Sequence, residues 1–270
     1  MTNRHREARA RFRIPSLHEI FASPLANAYR RVARWRRHGW LGAAMREQRQ
    51  RSLRFETLEP RLLLSADLTH TVAAGAALDA TLKIDDVDGS QIVRLVDNPS
   101  GTVLGEANLD QDVDVTVHGA ELSDRLDLRF DAASLAHAMH ISFDGGAGGE
   151  DELAGPDRAA TWKLSAGGAG SVDSDISFSD VEKVTGGSGD DTFVVLDPSS
   201  TTALDGGGGS NTLVAADATN SWSITGTDSG TLNGQAFAGV QNVQGGSADD
   251  TFSIAPGAQV NLALPRRGIE

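Results

Sequence analysis

One stretch of nine residues constrains this chain more than any other. It reads Gly186-Gly187-Ser188-Gly189-Asp190-Asp191-Thr192-Phe193-Val194 and fits the pattern G-G-x-G-x-D-x-U-x, U being a large apolar residue, at every fixed place. Closely spaced glycines let a backbone take positive φ and aim its carbonyls at one point. The aspartate adds an anionic oxygen, and the apolar residue then starts a strand that points back into a core. Related Gly-rich turns begin at Gly145, Gly167, Gly206, Gly226 and Gly245, so that the six turns follow one another at a near-constant step of about 20 residues. A step this regular predicts an all-β fold, a parallel β-solenoid or β-roll-like stack. Each coil would carry a Gly turn, a strand, a second turn and a return strand, with the Gly corners in one column. A longer, two-coil repeat overlies the short one. Thr161-Trp162-Lys163-Leu164 returns as Ser221-Trp222-Ser223-Ile224, and Asp191-Thr192-Phe193 as Asp250-Thr251-Phe252, both about 60 residues on.

Composition agrees with thin stacked layers rather than one large core: 5% of residues are aromatic and 30 are glycine. With no cysteine, neither a disulfide framework nor a thiolate metal site can form. No apolar run is long enough for a transmembrane helix, and no apolar h-region follows the basic start, so a Sec-type signal peptide is not supported. Charge splits the chain. Residues 1–61 hold 15 of its 24 basic residues and 5 of its 37 acidic ones, a net of +10. The remainder, with 9 basic and 32 acidic residues, has a net of −23.

The basic head, 1–66, is expected to be partly helical or disordered. Leu25, Tyr29, Val32 and Trp35 recur at helical spacing among Arg30, Arg31, Arg34, Arg36 and Arg37. Such a basic amphipathic helix suits an anionic membrane surface, the export machinery or another acidic partner. A solvated helix docking against nothing is the plain alternative. Nucleic acid is not expected, because the acidic remainder would repel a polyanion. Leu58-Glu59-Pro60-Arg61-Leu62-Leu63-Leu64-Ser65-Ala66, flanked by Phe55 and Glu56, resembles the LEPR-XLL signature of long repeat-bearing bacterial proteins. That resemblance implies an exported or cell-surface, adhesion-type protein. The small residues after the leucines make Ser65-Ala66-Asp67 a candidate processing site; an ordinary helix end or linker at Pro60 is the alternative.

From 67 to 119 the chain reads as short strands that lead into a solenoid over 120–264, followed by a tail at 265–270. Asp86-x-Asp88-Gly89 has the look of half an EF-hand loop. With Gly89 as sixth residue, however, Ile84 and Leu95 fall on the first and twelfth ligand positions, and neither can ligate. Asp88-Gly89 is instead read as a hairpin turn. Val113 to Val117 alternates as a strand with one wet face, as does Leu126 to Phe130. The latter and His140 to Phe143 are expected to cap the solenoid on its N-terminal side. His137 and His140 lack the partners of a metalloprotease helix and read as surface or packing residues. Alternation places Trp162, Leu164, Phe193, Val195, Trp222 and Ile224 inside, and Lys163, Thr192, Val194 and Ser223 outside. Trp162 and Trp222 are expected to stack as one buried ladder; if exposed they would form a carbohydrate platform.

The Gly-Asp turns also resemble those of the repeats-in-toxin (haemolysin-type) family, in which stacked nonapeptides hold Ca²⁺ between aspartate and turn carbonyls. The resemblance implies weak Ca²⁺ sites drawn from Gly187, Gly189, Asp190, Asp191, Asp205, Gly207, Asn211, Asp249 and Asp250. This chain departs from the family in its longer coils, in Asn211 where a carboxylate belongs, in Ala248 at a glycine place, and in an extra residue before Asp151. Glycines as plain corners, with aspartates bonding their own turn amides, are the alternative to calcium. No nucleophile motif, P-loop or paired catalytic signature occurs, so a non-catalytic structural or adhesive module is expected. A polysaccharide lyase, hydrolase or carbohydrate-binding solenoid using Asp190/Asp191 and Asp249/Asp250 is the alternative. The ending Pro265 to Glu270, just after a further coil begins, leads us to expect a short or truncated relative of longer repeat proteins.

Overall fold

The computed structural model describes residues 67–130 and 135–263, and every helix or strand among them is a strand. The basic amphipathic helix, the Leu58–Ala66 motif and the 265–270 tail therefore lie outside the described residues. Short alternating stretches such as Val113-Asp114-Val115-Thr116-Val117 bury every second residue, so each strand gives one apolar row to a shared interior. Two sheets, of ten and eleven strands and mostly parallel, enclose that interior.

The chain shuttles between the two sheets. It starts in the first with β1 (Leu68–Thr71) and crosses to an antiparallel meander of the second, β2 (Asp79–Val87), β3 (Ser90–Asp97) and β4 (Val103–Asn108). The β2–β3 turn has positive φ at both Asp88 (53°) and Gly89 (83°), the hairpin read from sequence. Crossings then alternate through β5 (Val113–His118), β6 (Arg125–Arg129), β7 (Met139–Asp144) and β8 (Glu152–Ala154). A second meander, β9 (Thr161–Leu164), β10 (Gly170–Val172) and β11 (Ile176–Ser179), lies in the first sheet. Single strands follow: β12 (Lys183–Thr185), β13 (Thr192–Val195), β14 (Ala203–Asp205) and β15 (Thr212–Val214). A third meander, β16 (Ser221–Gly226), β17 (Ser229–Leu232) and β18 (Gln235–Ala238), lies in the second sheet. The chain closes with β19 (Asn242–Gln244), β20 (Thr251–Ile254) and β21 (Asn261–Ala263). Strands on both sides of residue 120 belong to the same two sheets, and β6 and β7 sit inside the stack, so the expected N-terminal cap is formed instead by β1 to β4.

Register shows where the short step holds. Thr192 pairs with Thr212 and Lys183 with Ala203, each one short step on, whereas Thr192 pairs back to Thr161 and Thr212 forward to Asn242. Those last two steps are longer because each contains a meander, which adds two strands to one sheet before the chain crosses again. The longer sequence repeat thus spans an odd number of crossings and changes sheet. Trp162 lies in the first sheet and Trp222 in the second. They are both buried in the one core but do not stack on each other, contrary to the expected ladder. Each stacks on a phenylalanine one coil on: Trp162 on Phe193 at 5.6 Å and 22°, Trp222 on Phe252 at 5.5 Å and 9°. The inside and outside positions of the strands follow the alternation as read.

The Gly corners are likewise split. Gly186 and Gly206 lead from the second sheet to the first along one edge. Gly145 and Gly245 lead the other way along the opposite edge, and Gly167 and Gly226 lie in the first hairpins of the two later meanders. Spacing alone cannot tell a crossing from a hairpin, and so one column becomes two edges and two hairpin tips.

Candidate functional site

At many corners the last residue, just before a strand, is polar and turned inward, whereas Ala160 fills that place before β9. Asp124, Asp151, Asp191, Thr202, Asn211 and Asn220 are all buried. A buried polar atom needs a partner; for Asp124, Asp151, Asp191 and Asn211 it is a backbone amide of the preceding corner, whereas Asn220 Nδ2 donates to the Ala216 and Ala218 carbonyls of its own corner. Along one edge Asp191 Oδ1 accepts the Ala160 N–H at 2.9 Å, Asn211 Oδ1 accepts the Asp191 N–H at 2.9 Å, and Gln241 Oε1 accepts the Asn211 N–H at 2.8 Å. Along the other edge Asp124 Oδ1 accepts the Leu78 N–H, Asp151 Oδ1 the Asp124 N–H at 2.7 Å, and Glu182 Oε2 the Asp151 N–H at 2.9 Å. Further on, Asp250 Oδ1 accepts the Asn220 N–H at 3.0 Å. The corners are therefore tied coil to coil by two side-chain-to-amide ladders.

At the corners that open with Gly119, Gly186 and Gly206, that glycine makes room for the rung. A Cβ on Gly186 would lie 2.5 Å from Asp191 Oδ2, one on Gly206 2.6 Å from Asn211 Nδ2, and one on Gly119 2.5 Å from Asp124 Oδ2. In the perfect nonapeptide the glycines serve by size rather than by positive φ, which none of Gly186, Gly187 and Gly189 adopts. A Cβ on Gly187 would meet the Pro156 carbonyl oxygen at 1.9 Å, and one on Gly189 the Ala159 nitrogen at 2.2 Å. Positive φ appears instead in the next corner, at Gly207 (72°) and Gly209 (77°).

Asp and Asn are not equivalent as rungs. Asn211 satisfies both ends of its amide, since Nδ2 donates to the Gly208 and Gly239 carbonyls at 3.0 and 2.9 Å. Asp191 Oδ2 takes the matching place over Gly186, towards which the Gly206 carbonyl also faces. It accepts no hydrogen bond of good geometry, although the Gly187 N–H lies near enough to favour the charged carboxylate. Asp151 Oδ2 is likewise buried and unpartnered. Burial pushes both carboxyls up to about 6, against the backbone hydrogen bonds that favour the charged form; around Asp151 the nearby Glu182, Asp124 and Asp144 carboxylates raise it further. A position beside carbonyl oxygens wants a donor or a cation. A proton on Asp191 would serve the role of the Asn211 amide hydrogens; a cation would draw on the carboxylate and the carbonyls together.

Seven of the expected calcium residues, Gly187, Gly189, Asp190, Asp191, Asp205, Gly207 and Asn211, are gathered in two successive corners of one edge. Asp249 and Asp250 lie on the opposite edge. Asp190 Oδ1 accepts the Ser210 N–H at 2.7 Å across the two corners, while Asp205 Oδ1 accepts the Gly207 N–H at 3.0 Å as an Asx-turn does. His137 and His140 face different carboxylates, Asp112 at 3.9 Å and Asp175 at 3.8 Å. Asp124, Glu182, Asn220 and Gln241 belong to the ladders yet lie outside the set expected from the Gly-Asp turns. The spacing held a clue: Gly119–Asp124, Gly186–Asp191, Gly206–Asn211 and Gly245–Asp250 are all five apart, first glycine to rung. Neither family models, curated proteins nor solved structures match the chain.

Proposed function

We propose that residues 67–263 are a non-catalytic β-solenoid module, a stack of short coils interrupted by meanders, with a structural or adhesive role on an exported or cell-surface bacterial protein. The observation that carries this reading is the use of the corner side chains. Asp124, Asp151, Asp191, Asn211 and Gln241 hold a neighbouring coil's amide in place, so the polar residues a catalyst would need free are committed to architecture. Export and surface location rest on the resemblance of Leu58–Ala66.

Weak calcium binding belongs to the same reading. The Oδ2 of Asp191, buried without a hydrogen bond of good geometry where the Gly206 carbonyl also faces, is the feature that fits a hard cation, which prefers several carboxylate and carbonyl oxygens. Asp191 would hold the ion together with carbonyls of the Gly186 and Gly206 corners; bound Ca²⁺ would supply charge neutralisation and a cross-link between coils. Millimolar Ca²⁺ should raise the melting temperature of the chain where Mg²⁺ does not, and equal responses would remove calcium from the reading.

A depression of about 320 Å³ on the outer face of the first sheet, lined by Asp114, Thr116, His140, Ser142 and Asp175 among others, favours carbohydrate binding as the second reading. Retention on immobilised polysaccharide, lost in Asp175→Ala, would support it; turnover of the polysaccharide would replace the non-catalytic reading altogether.

A further inference from the structure

The two ends of the stack differ. At the N-terminal end β1 and β4 close over the interior: Leu68 is 3% exposed and packs so near Gly105 that a Cβ there would touch Leu68 Cγ at 3.4 Å. At the C-terminal end nothing among the described residues closes it. β20 is the edge strand of the second sheet and β21 that of the first. Ile254 pairs in register with the fully buried Ile224, and Leu262 with the fully buried Val243. They continue the inward rows yet are 54% and 40% exposed.

We propose that this end is a self-association surface on which β20 and β21 of one copy meet the same two strands of a second copy. Three observations select that occupant. Edge strands of soluble proteins are usually protected by charge, proline or a covering loop, but Thr251 to Ala263 holds no charged side chain, and its one proline, Pro256, lies between the strands. Since the chain beyond residue 61 has a net charge of −23, this uncharged segment is a place where two copies meet with the least like-charge repulsion, although Asp249 and Asp250 flank it. A partner must also offer two edge strands at the separation of facing sheets, about 10 Å. The same end of another copy does so, because a two-fold axis sets each edge strand antiparallel to its own mate and carries both sheets across the junction. Head-to-tail stacking is disfavoured by the closed far end, where β4 carries Glu106 and Asp110 and Asp112 follow. The cross-section is two strands and their corners, less than the roughly 800 Å² per partner of a standard interface, so the association is weak and reversible.

Sedimentation velocity of the full chain from about 1 to about 200 µM tests this range of affinity. The expected result is a monomer–dimer equilibrium that weakens at least about tenfold in Ile254→Lys/Leu262→Lys, with an unchanged far-ultraviolet spectrum because both sites are exposed. Since the chain has no cysteine, Ser253→Cys and Thr69→Cys each place a lone thiol at one end. A short bis-maleimide should cross-link the first and leave the second monomeric. A wild-type chain that stays monomeric throughout, a dimer indifferent to the two lysines, or cross-linking only at Thr69→Cys would overturn the proposal. None of these outcomes depends on calcium, so this inference and the preceding reading can fail separately.

Discussion

Asn211 receives the amide hydrogen of Asp191 at 2.9 Å, just as Asp191 receives that of Ala160 at the same distance one corner earlier. The two side chains hold one structural position with different chemistry, and only the amide satisfies both of its ends. Asp191→Asn should therefore raise the melting temperature in chelator at pH 7.5, by a few degrees for a gain of about 1 kcal/mol. The same change should abolish any calcium-dependent stabilisation. A fall in melting temperature under chelator would refute the amide-like role of the rung.

The pH dependence follows from the same corners. Burial raises the Asp151 and Asp191 carboxyls to about 6, above an unfolded value near 3.8. Between those limits the folded chain binds more protons than the unfolded one, so stability falls as pH rises from about 4 to about 6 and then levels off. In chelator the chain should melt a few degrees higher at pH 5 than at pH 7.5, about 1 kcal/mol per aspartate. Asp151→Asn/Asp191→Asn should flatten that slope. Below pH 4 the trend reverses, because Asp85, held low by its bonds to Arg94 and Lys83, loses that stabilisation once protonated. Thermal melts across this range check the sign.

Glycines at corners should respond by crowding. Gly187→Ala drives a methyl group into the Pro156 carbonyl, a backbone atom that cannot turn aside as a side chain could, and should cost about 3 kcal/mol or more. Gly75→Ala meets no atom within 4 Å and has only its positive φ of 76° to overcome, about 1 kcal/mol. Urea unfolding of the two variants should rank them in that order.

Each tryptophan lies under the next coil, Trp162 on Phe193 and Trp222 on Phe252. Trp162→Ala should destabilise by about 3–5 kcal/mol. Trp222→Ala should cost less, because Phe252 is only partly buried and the cavity lies near the open end. Chemical denaturation followed by far-ultraviolet dichroism, which does not rely on the tryptophans removed, measures both.

Much of this was legible beforehand. The alternation at Trp162-Lys163-Leu164 and at Phe193-Val194-Val195 assigned interior and exterior correctly, because a strand has period two whatever it pairs with. Asp88-Gly89 marked its hairpin through backbone chemistry local to two residues. What stayed hidden depends on pairing. Whether Gly167 closes a hairpin or Gly186 a crossing is decided by which strand receives the next segment, and the spacing is the same in either case. The ladders were hidden because rungs differ in type, Asp124 beside Glu182 and Asn211 beside Gln241, while the geometry they share joins positions far apart in the chain.

The alternation of the last two meanders between sheets bears on how such a chain can grow. Each one thickens a single wall by two strands, about 10 Å, and the next restores parity on the facing wall, which leaves ten strands opposite eleven. Duplicating one copy of the longer repeat would splay the walls and exchange which of the two sheets ends last; duplicating two in tandem would add strands to both sheets without a wedge.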